Sequence, residues 1–97
     1  MKSVAFHPDA ESEFLEAVRY YSQQADGLGS DFLSAVRTAI ERVAEFPDSG
    51  RPFGERLRRV IVRGFPYAVI YRAEGDDLVV IAVAHLRRRP GYWRLRD

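Results

Sequence analysis

Ninety-seven residues, 46% of them apolar and 12% aromatic, can enclose one compact core but leave little room for a second. The charged fraction of 30% is interspersed rather than blocked, which argues against disorder, and the lack of cysteine excludes disulfides and thiolate metal sites. Net charge is +1, yet the first fifty residues hold four basic against nine acidic side chains and the remainder eleven against five, so the two halves have opposite sign.

Val4-Ala5-Phe6 reads as a short first strand; the opening segment lacks the apolar stretch of a secretory signal. Pro8 then occupies a first-turn position, with Asp9 and Glu11 at the positive end of a helix and His7 in the capping slot. From Asp9 to about Gln24, the residues Ala10, Phe14, Ala17, Val18 and Tyr21 recur at steps of three and four, one face of an amphipathic helix. Glu11, Glu13 and Glu16 read as its solvated side. Of Tyr20 and Tyr21, adjacent on the helix, one is expected in the core and the other at least partly exposed.

Ala25-Asp26-Gly27-Leu28-Gly29 breaks the period and predicts a short connection. A second helix is expected from about Ser30-Asp31, burying Phe32, Leu33, Val36, Ile40, Val43 and Phe46, with Pro47 ending it and a turn over Asp48 to Pro52. Neither helix is long enough to be stable without packing, so the pair should form a hairpin on a common core.

The second half changes period. Arg58 to Val62, Tyr67 to Arg72 and Leu78 to Ala84 are rich in Val, Ile and Tyr and predict three antiparallel strands, joined through Gly64-Phe65-Pro66 and Glu74-Gly75-Asp76. Leu78 to Ala84 is almost wholly apolar and is expected to be the central strand. Residues 87–97 form a basic and aromatic tail, with one helical turn expected around Tyr92 and Trp93. The predicted order is β-α-α-β-β-β, an α+β domain over residues 1–97 in which a helical hairpin packs on one face of a mostly antiparallel sheet.

Every basic residue of the second half is an arginine, whose planar fork suits bidentate contact with carboxylate or phosphate. An acidic partner or a nucleic acid is the expected counterpart. Arg87, Arg88 and Arg89 beside Tyr92 and Trp93 form the strongest candidate binding surface. Arg59 and Arg63 join it as same-face residues of a strand from which Arg58 points away. Trp93 also fits an anchor packed on the sheet, and His85 a structural group bonded to the tail backbone. There is no Gly-rich phosphate loop, no Ser-His-Asp arrangement and no cluster of metal ligands; neither metal nor cofactor is expected. No apolar run reaches the roughly 20 residues of a membrane-spanning helix, and a cytoplasmic protein is expected.

Four segments, in order and across nearly the whole chain, are similar to the RelE/ParE family of toxins from type II toxin–antitoxin systems. They are Phe6-His7-Pro8-Asp9-Ala10-Glu11, Phe46-Pro47-Asp48-Ser49-Gly50-Arg51-Pro52, Phe65 to Arg72, and Val83-Ala84-His85-Leu86-Arg87-Arg88-Arg89-Pro90-Gly91-Tyr92-Trp93. The last resembles the ending of the ParE-like, plasmid-stabilisation branch. The resemblance implies a toxin held inactive by a cognate antitoxin, in a possible hetero-oligomer. It also implies one of two actions: non-catalytic inhibition of DNA gyrase, or ribosome-dependent cleavage of mRNA without a metal. Cleavage would draw on His85 as acid or base, on Arg87 at the family's arginine position for the phosphate charge, and on Tyr92 or Trp93 near the family's tail tyrosine. The family's ribonuclease arginine on the third strand falls at Ala68, however, and its lysine-rich segment is replaced by Glu55-Arg56-Leu57-Arg58-Arg59. That departure favours the binding inhibitor over the ribonuclease; a degenerate toxin that only binds its antitoxin is the third reading.

Overall fold

The computed structural model describes residues 1–96. Its elements run β1 (Ser3–Phe6), α1 (Pro8–Gln24), α2 (Leu28–Glu45), a 3-10 turn (Pro47–Ser49), β2 (Arg51–Pro52), β3 (Arg58–Ile61), β4 (Tyr67–Glu74), β5 (Asp77–His85) and a second 3-10 turn (Arg94–Arg96). The sheet order is β1-β5-β4-β3-β2. β1 lies parallel to β5, with Ser3 opposite Asp77 and Phe6 opposite Val80, and every other pairing is antiparallel. The α+β architecture with a helical hairpin and a mostly antiparallel sheet is the expected one. β4 is the middle strand; β5, beside it, is an interior strand only as far as β1 accompanies it.

α1 begins as its sequence dictates: Pro8 stands in the first turn and the His7 Nδ1 accepts the Asp9 amide proton at 3.1 Å. α2 begins at Leu28, two residues before the expected start, because Gly27 (φ 79°) makes the reversal alone. Gly29 is therefore inside the helix. A Cβ there would lie 1.8 Å from Ser22 Oγ and 2.8 Å from the Val18 carbonyl oxygen, so glycine sets the close crossing of the two helices.

The helices cover one face of the sheet. Ala10, Ala17, Phe32, Val36, Ile40 and Val43 meet Val62, Val69, Tyr71, Leu78, Val80 and Val83 in the main core. Leu33 is half-buried, and Phe46, expected inside, is 59% exposed. It caps α2 at φ −125°, which takes it out of the helical phase just before Pro47. The turn it leads into is bound to the sheet by Tyr71. That hydroxyl donates to the Pro47 carbonyl at 2.7 Å and accepts the Gly50 amide proton at 3.0 Å. The chain then makes the brief β2, at the sheet edge, where the sequence suggested only a turn.

A second apolar cluster lies on the sheet's other face: Leu57, Ile70, Ile81, Ala82, Ala84 and Trp93, with Phe53, Val79 and Tyr92 partly buried against it. A bulge makes it possible. Ile70 is opposite Ala82 but Tyr71 is opposite Val80, so Ile81 is the extra residue. Alternation resumes one step out of phase, and Ile81 and Ala82 both join this face while Val80 and Val83 both join the helix face.

Candidate partner-binding site

Beyond His85 the chain turns and lays its tail over the second cluster. Trp93, 6% exposed, packs on the sheet with its ring 5.4 Å from that of Phe53. Trp93 is thus the anchor, and the helical turn expected around it forms instead at Arg94–Arg96. Asp97, the last position of the tail as read from the sequence, is outside the described residues.

Phe53 and Trp93 divide two concavities. A groove of about 140 Å³ has Ala68, Ile70 and Ala84 on its floor, with Arg59 and Arg88 among its walls. A broader cleft of about 600 Å³ runs between the 53–57 loop and the tail, past Arg56 and Arg94. The Arg59 guanidinium stacks 5.0 Å from the Phe53 ring centroid, a cation–π contact that leaves its charge on this face. Ala68, at the family's ribonuclease arginine position, is 3% exposed and supplies only apolar floor.

The sequence-chosen residues divide into three groups. Arg59, Arg88 and Trp93 line the groove together, and exposed Arg87 and Arg89 flank Arg88 along the chain. Arg63 is separated from them: β3 ends at Ile61, the strand phase stops before Arg63, and the residue lies by a groove between α2 and β3. Arg58 points away from Arg59, as expected, and donates to the Gly50 and Asp48 carbonyls. Tyr92 and His85 are turned toward other work. The Tyr92 hydroxyl is buried without a hydrogen-bond partner among the described residues. Burial, then the neighbouring Glu13 carboxylate, pushes its pKa far above the usual phenol value. His85 Nδ1 accepts the Arg87 amide proton at 3.0 Å, the structural role open to it, while its ring meets Tyr67 edge-on at 5.1 Å.

The residue that sequence reasoning missed is Glu13. Rather than facing solvent, it is 12% exposed and accepts four hydrogen bonds. Arg96 forks onto it at 2.9 and 3.1 Å, Arg88 reaches it at 3.3 Å, and the Val83 amide donates at 3.1 Å. Burial opposes the charge on Arg96, but its hydrogen bonds and attraction to Glu13 outweigh this and raise its pKa. Arg88 also lies 3.7 Å from the Tyr92 ring centroid, with Arg96 5.0 Å from it. The signal was present: Glu13 stands three residues after Ala10 and four before Ala17, on the apolar stripe itself. A carboxylate there needs a cation.

The molecule's own carboxylates therefore occupy part of the arginine set: Arg88 and Arg96 on Glu13, Arg58 on Asp48, Arg72 on Glu74. Among the described residues of the second half, Arg51, Arg56, Arg59, Arg63, Arg87, Arg89 and Arg94 have no carboxylate partner, and all but Arg59 are exposed. No group of three or more metal-ligating side chains occurs among the described residues, and no helix is long and apolar enough to cross a membrane.

Comparison with known proteins accords with this architecture. Over residues 4–90 the chain matches the family model described as "ParE toxin of type II toxin-antitoxin system, parDE". It is 30% identical over 88 residues to Toxin ParE2 of Mycobacterium tuberculosis, in strains CDC 1551 / Oshkosh and ATCC 25618 / H37Rv, covering 87% of this chain and 81% of each relative. The fold is similar to a solved structure titled "Chromosomal ParDE TA system from P. aeruginosa", with a TM-score of 0.64 at 18% identity, over 90% of this chain and 98% of that one. With the family match spanning nearly all of the sequence, the chain belongs to the ParE toxins of type II toxin–antitoxin systems.

Proposed function

We propose that this ParE-family toxin arrests growth by binding an essential target, DNA gyrase, without catalysing a reaction, and that a cognate antitoxin neutralises it in the cytoplasm by covering the arginine face. The observation that carries the binding role is the groove floored by Ala68, Ile70 and Ala84 beneath Arg59 and Arg88, with unpaired Arg87 and Arg89 alongside. An apolar floor with a guanidinium rim suits a protein segment that brings both apolar and acidic side chains. The ParDE title of the structural neighbour supports an antitoxin as one such protein. On this reading Arg59, Arg87, Arg88 and Arg89 contact the partner, Trp93 and Tyr92 support the surface from below, and Arg63 contributes at a separate edge.

Metal-free RNA cleavage would need a base, an acid and phosphate ligands converging on one point. The burial of the Tyr92 hydroxyl, the occupied His85 Nδ1 and alanine at position 68 weigh against that arrangement. A ribosome-dependent endoribonuclease keeps one observation in its favour: Arg87 is exposed and unpaired just beyond β5.

A supercoiling assay with purified protein separates the two. Gyrase inhibition in the absence of RNA is the expected result, and it should weaken at least tenfold in Arg87→Ala/Arg89→Ala. Normal supercoiling, with mRNA cut at defined codons during in vitro translation and spared by Arg87→Ala, establishes the ribonuclease instead. Normal growth on expression without the antitoxin leaves a degenerate toxin. The antitoxin itself is sought in the adjoining reading frame, whose product should co-purify with this chain.

A further inference from the structure

We infer that Glu13 is a positioning residue of the partner surface: it clasps the tail across the uncovered edge of β5, so that Leu86–Pro90 stands opposite Arg59 over the groove. For the nature of the partner, this rests on the function proposed above. β1 accompanies β5 only to Val80, where the His7 amide donates to the Val80 carbonyl at 2.9 Å. From Ile81 onward that edge has no neighbouring strand among the described residues, although its backbone groups still need partners. Two side chains take the place of a strand. Arg96 donates to the Ile81 carbonyl at 3.2 Å, at the bulge, and Glu13 accepts from the Val83 amide at 3.1 Å.

These two side chains are also joined to each other by the bidentate ion pair, and Asp9 adds a longer contact to Arg96 at 3.7 Å. One carboxylate on α1 thus connects the first helix, the last strand and the end of the tail. Arg88, which lines the groove, rests on the same carboxylate and on the Tyr92 ring. The near end of the Leu86–Pro90 loop is held by backbone, the Leu86 amide donating to the Pro66 carbonyl at 2.9 Å and the Arg88 amide to the His85 carbonyl at 3.0 Å, while the Glu13 clasp fixes the far end of the tail and the Arg88 guanidinium. A charged fork held on a mostly buried carboxylate has little angular freedom.

The single tryptophan makes this testable in the full-length chain. In Glu13→Ala, quenching of Trp93 fluorescence by iodide is expected to rise severalfold. The Val83 amide should exchange with deuterium at least tenfold faster, while the Val69 and Tyr71 amides of β4 keep their protection. Glu13→Gln, which retains a carbonyl acceptor but no charge, should fall between the wild type and Glu13→Ala. Arg96→Ala, which leaves α1 untouched, should free the tail in the same way. Affinity for the purified protein encoded by the adjoining frame, measured calorimetrically, should fall about tenfold in Glu13→Ala and Arg96→Ala. Unchanged quenching and exchange overturn the clasp. A freed tail with unchanged affinity overturns its positioning role. If that protein does not bind the wild-type chain, the antitoxin proposal falls and the positioning role with it, while the fluorescence and exchange data still decide whether the clasp exists.

Discussion

The Tyr71 hydroxyl and the Gly50 amide are 3.0 Å apart in a buried contact that joins β4 to the turn after α2. The same oxygen is committed to the Pro47 carbonyl, so the ring and the turn fix one another. Tyr71→Phe would leave the Gly50 amide and Pro47 carbonyl without this partner and should cost about 1–3 kcal/mol in urea unfolding. Gly50→Ala should cost at least as much. Its backbone (φ −73°) accepts alanine, but the new Cβ would lie 2.1 Å from the Tyr71 oxygen. Combining it with Tyr71→Phe should rescue little, because the ring carbons remain 2.8 Å away.

Gly29→Ala tests the helix crossing. The Cβ meets Ser22 Oγ and, behind it, the Val18 carbonyl of α1. Alanine is the better helix former, worth up to about 1 kcal/mol in an unconstrained helix. Here we expect a net loss of about 1–3 kcal/mol, because even with the Ser22 hydroxyl turned aside the Val18 carbonyl oxygen remains 2.8 Å away. Ser22→Ala in the same chain should recover part of it and no more. A stabilised Gly29→Ala protein by thermal unfolding would contradict the crossing described.

Tyr92→Phe should be tolerated. The hydroxyl it removes is buried and has no hydrogen-bond partner among the described residues, while the ring faces presented to Arg88 and Arg96 are kept. Stability within about 1 kcal/mol of the wild type, or slightly above it, is expected from chemical unfolding. A loss beyond about 2 kcal/mol would mean that the hydroxyl has a strong bond to Glu13.

Alkaline pH should destabilise the fold through its tyrosines. Burial first, with neighbouring charges or phenols adding to it, raises the pKa of Tyr21, Tyr67 and Tyr92; burial also raises that of Tyr71. Each folded-state value therefore exceeds the unfolded one, near ~10. The stabilisation is complete below that pH and declines above it, because the unfolded chain releases its phenolic protons first. Urea midpoints should fall steadily above pH ~10, and less steeply in Tyr92→Phe. A midpoint flat to pH ~12 would refute the assignment.

Much of this architecture was legible because it follows from periodicity and punctuation. The stripe from Ala10 to Tyr21, the Pro8 and Pro47 boundaries and the three Val/Ile/Tyr runs give the hairpin and four of the five strands. What was hidden depends on contacts distant in sequence. Gly29 looks like a breaker until the neighbouring helix is known. Arg63 keeps the strand phase on paper, but the strand has already ended. Glu13 passes for a solvated acid unless its place on the stripe is counted, and its cation is supplied by the far end of the chain. The short β2 has no hydrophobic pattern to announce it; it is recruited by the edge of β3.

The parallel pairing of β1 with β5 bears on how the molecule comes into being. A strand whose neighbour lies beyond both helices and three further strands must wait, unmatched, until those have been synthesised. Nascent chains halted before Asp77 would have β3 and β4 to set against the helices but would lack Leu78, Val80 and Val83, the share of the main core that β5 supplies. The pairing that seats β1 is thus a closing step of assembly, taken after β3 and β4 have already offered the helices a surface.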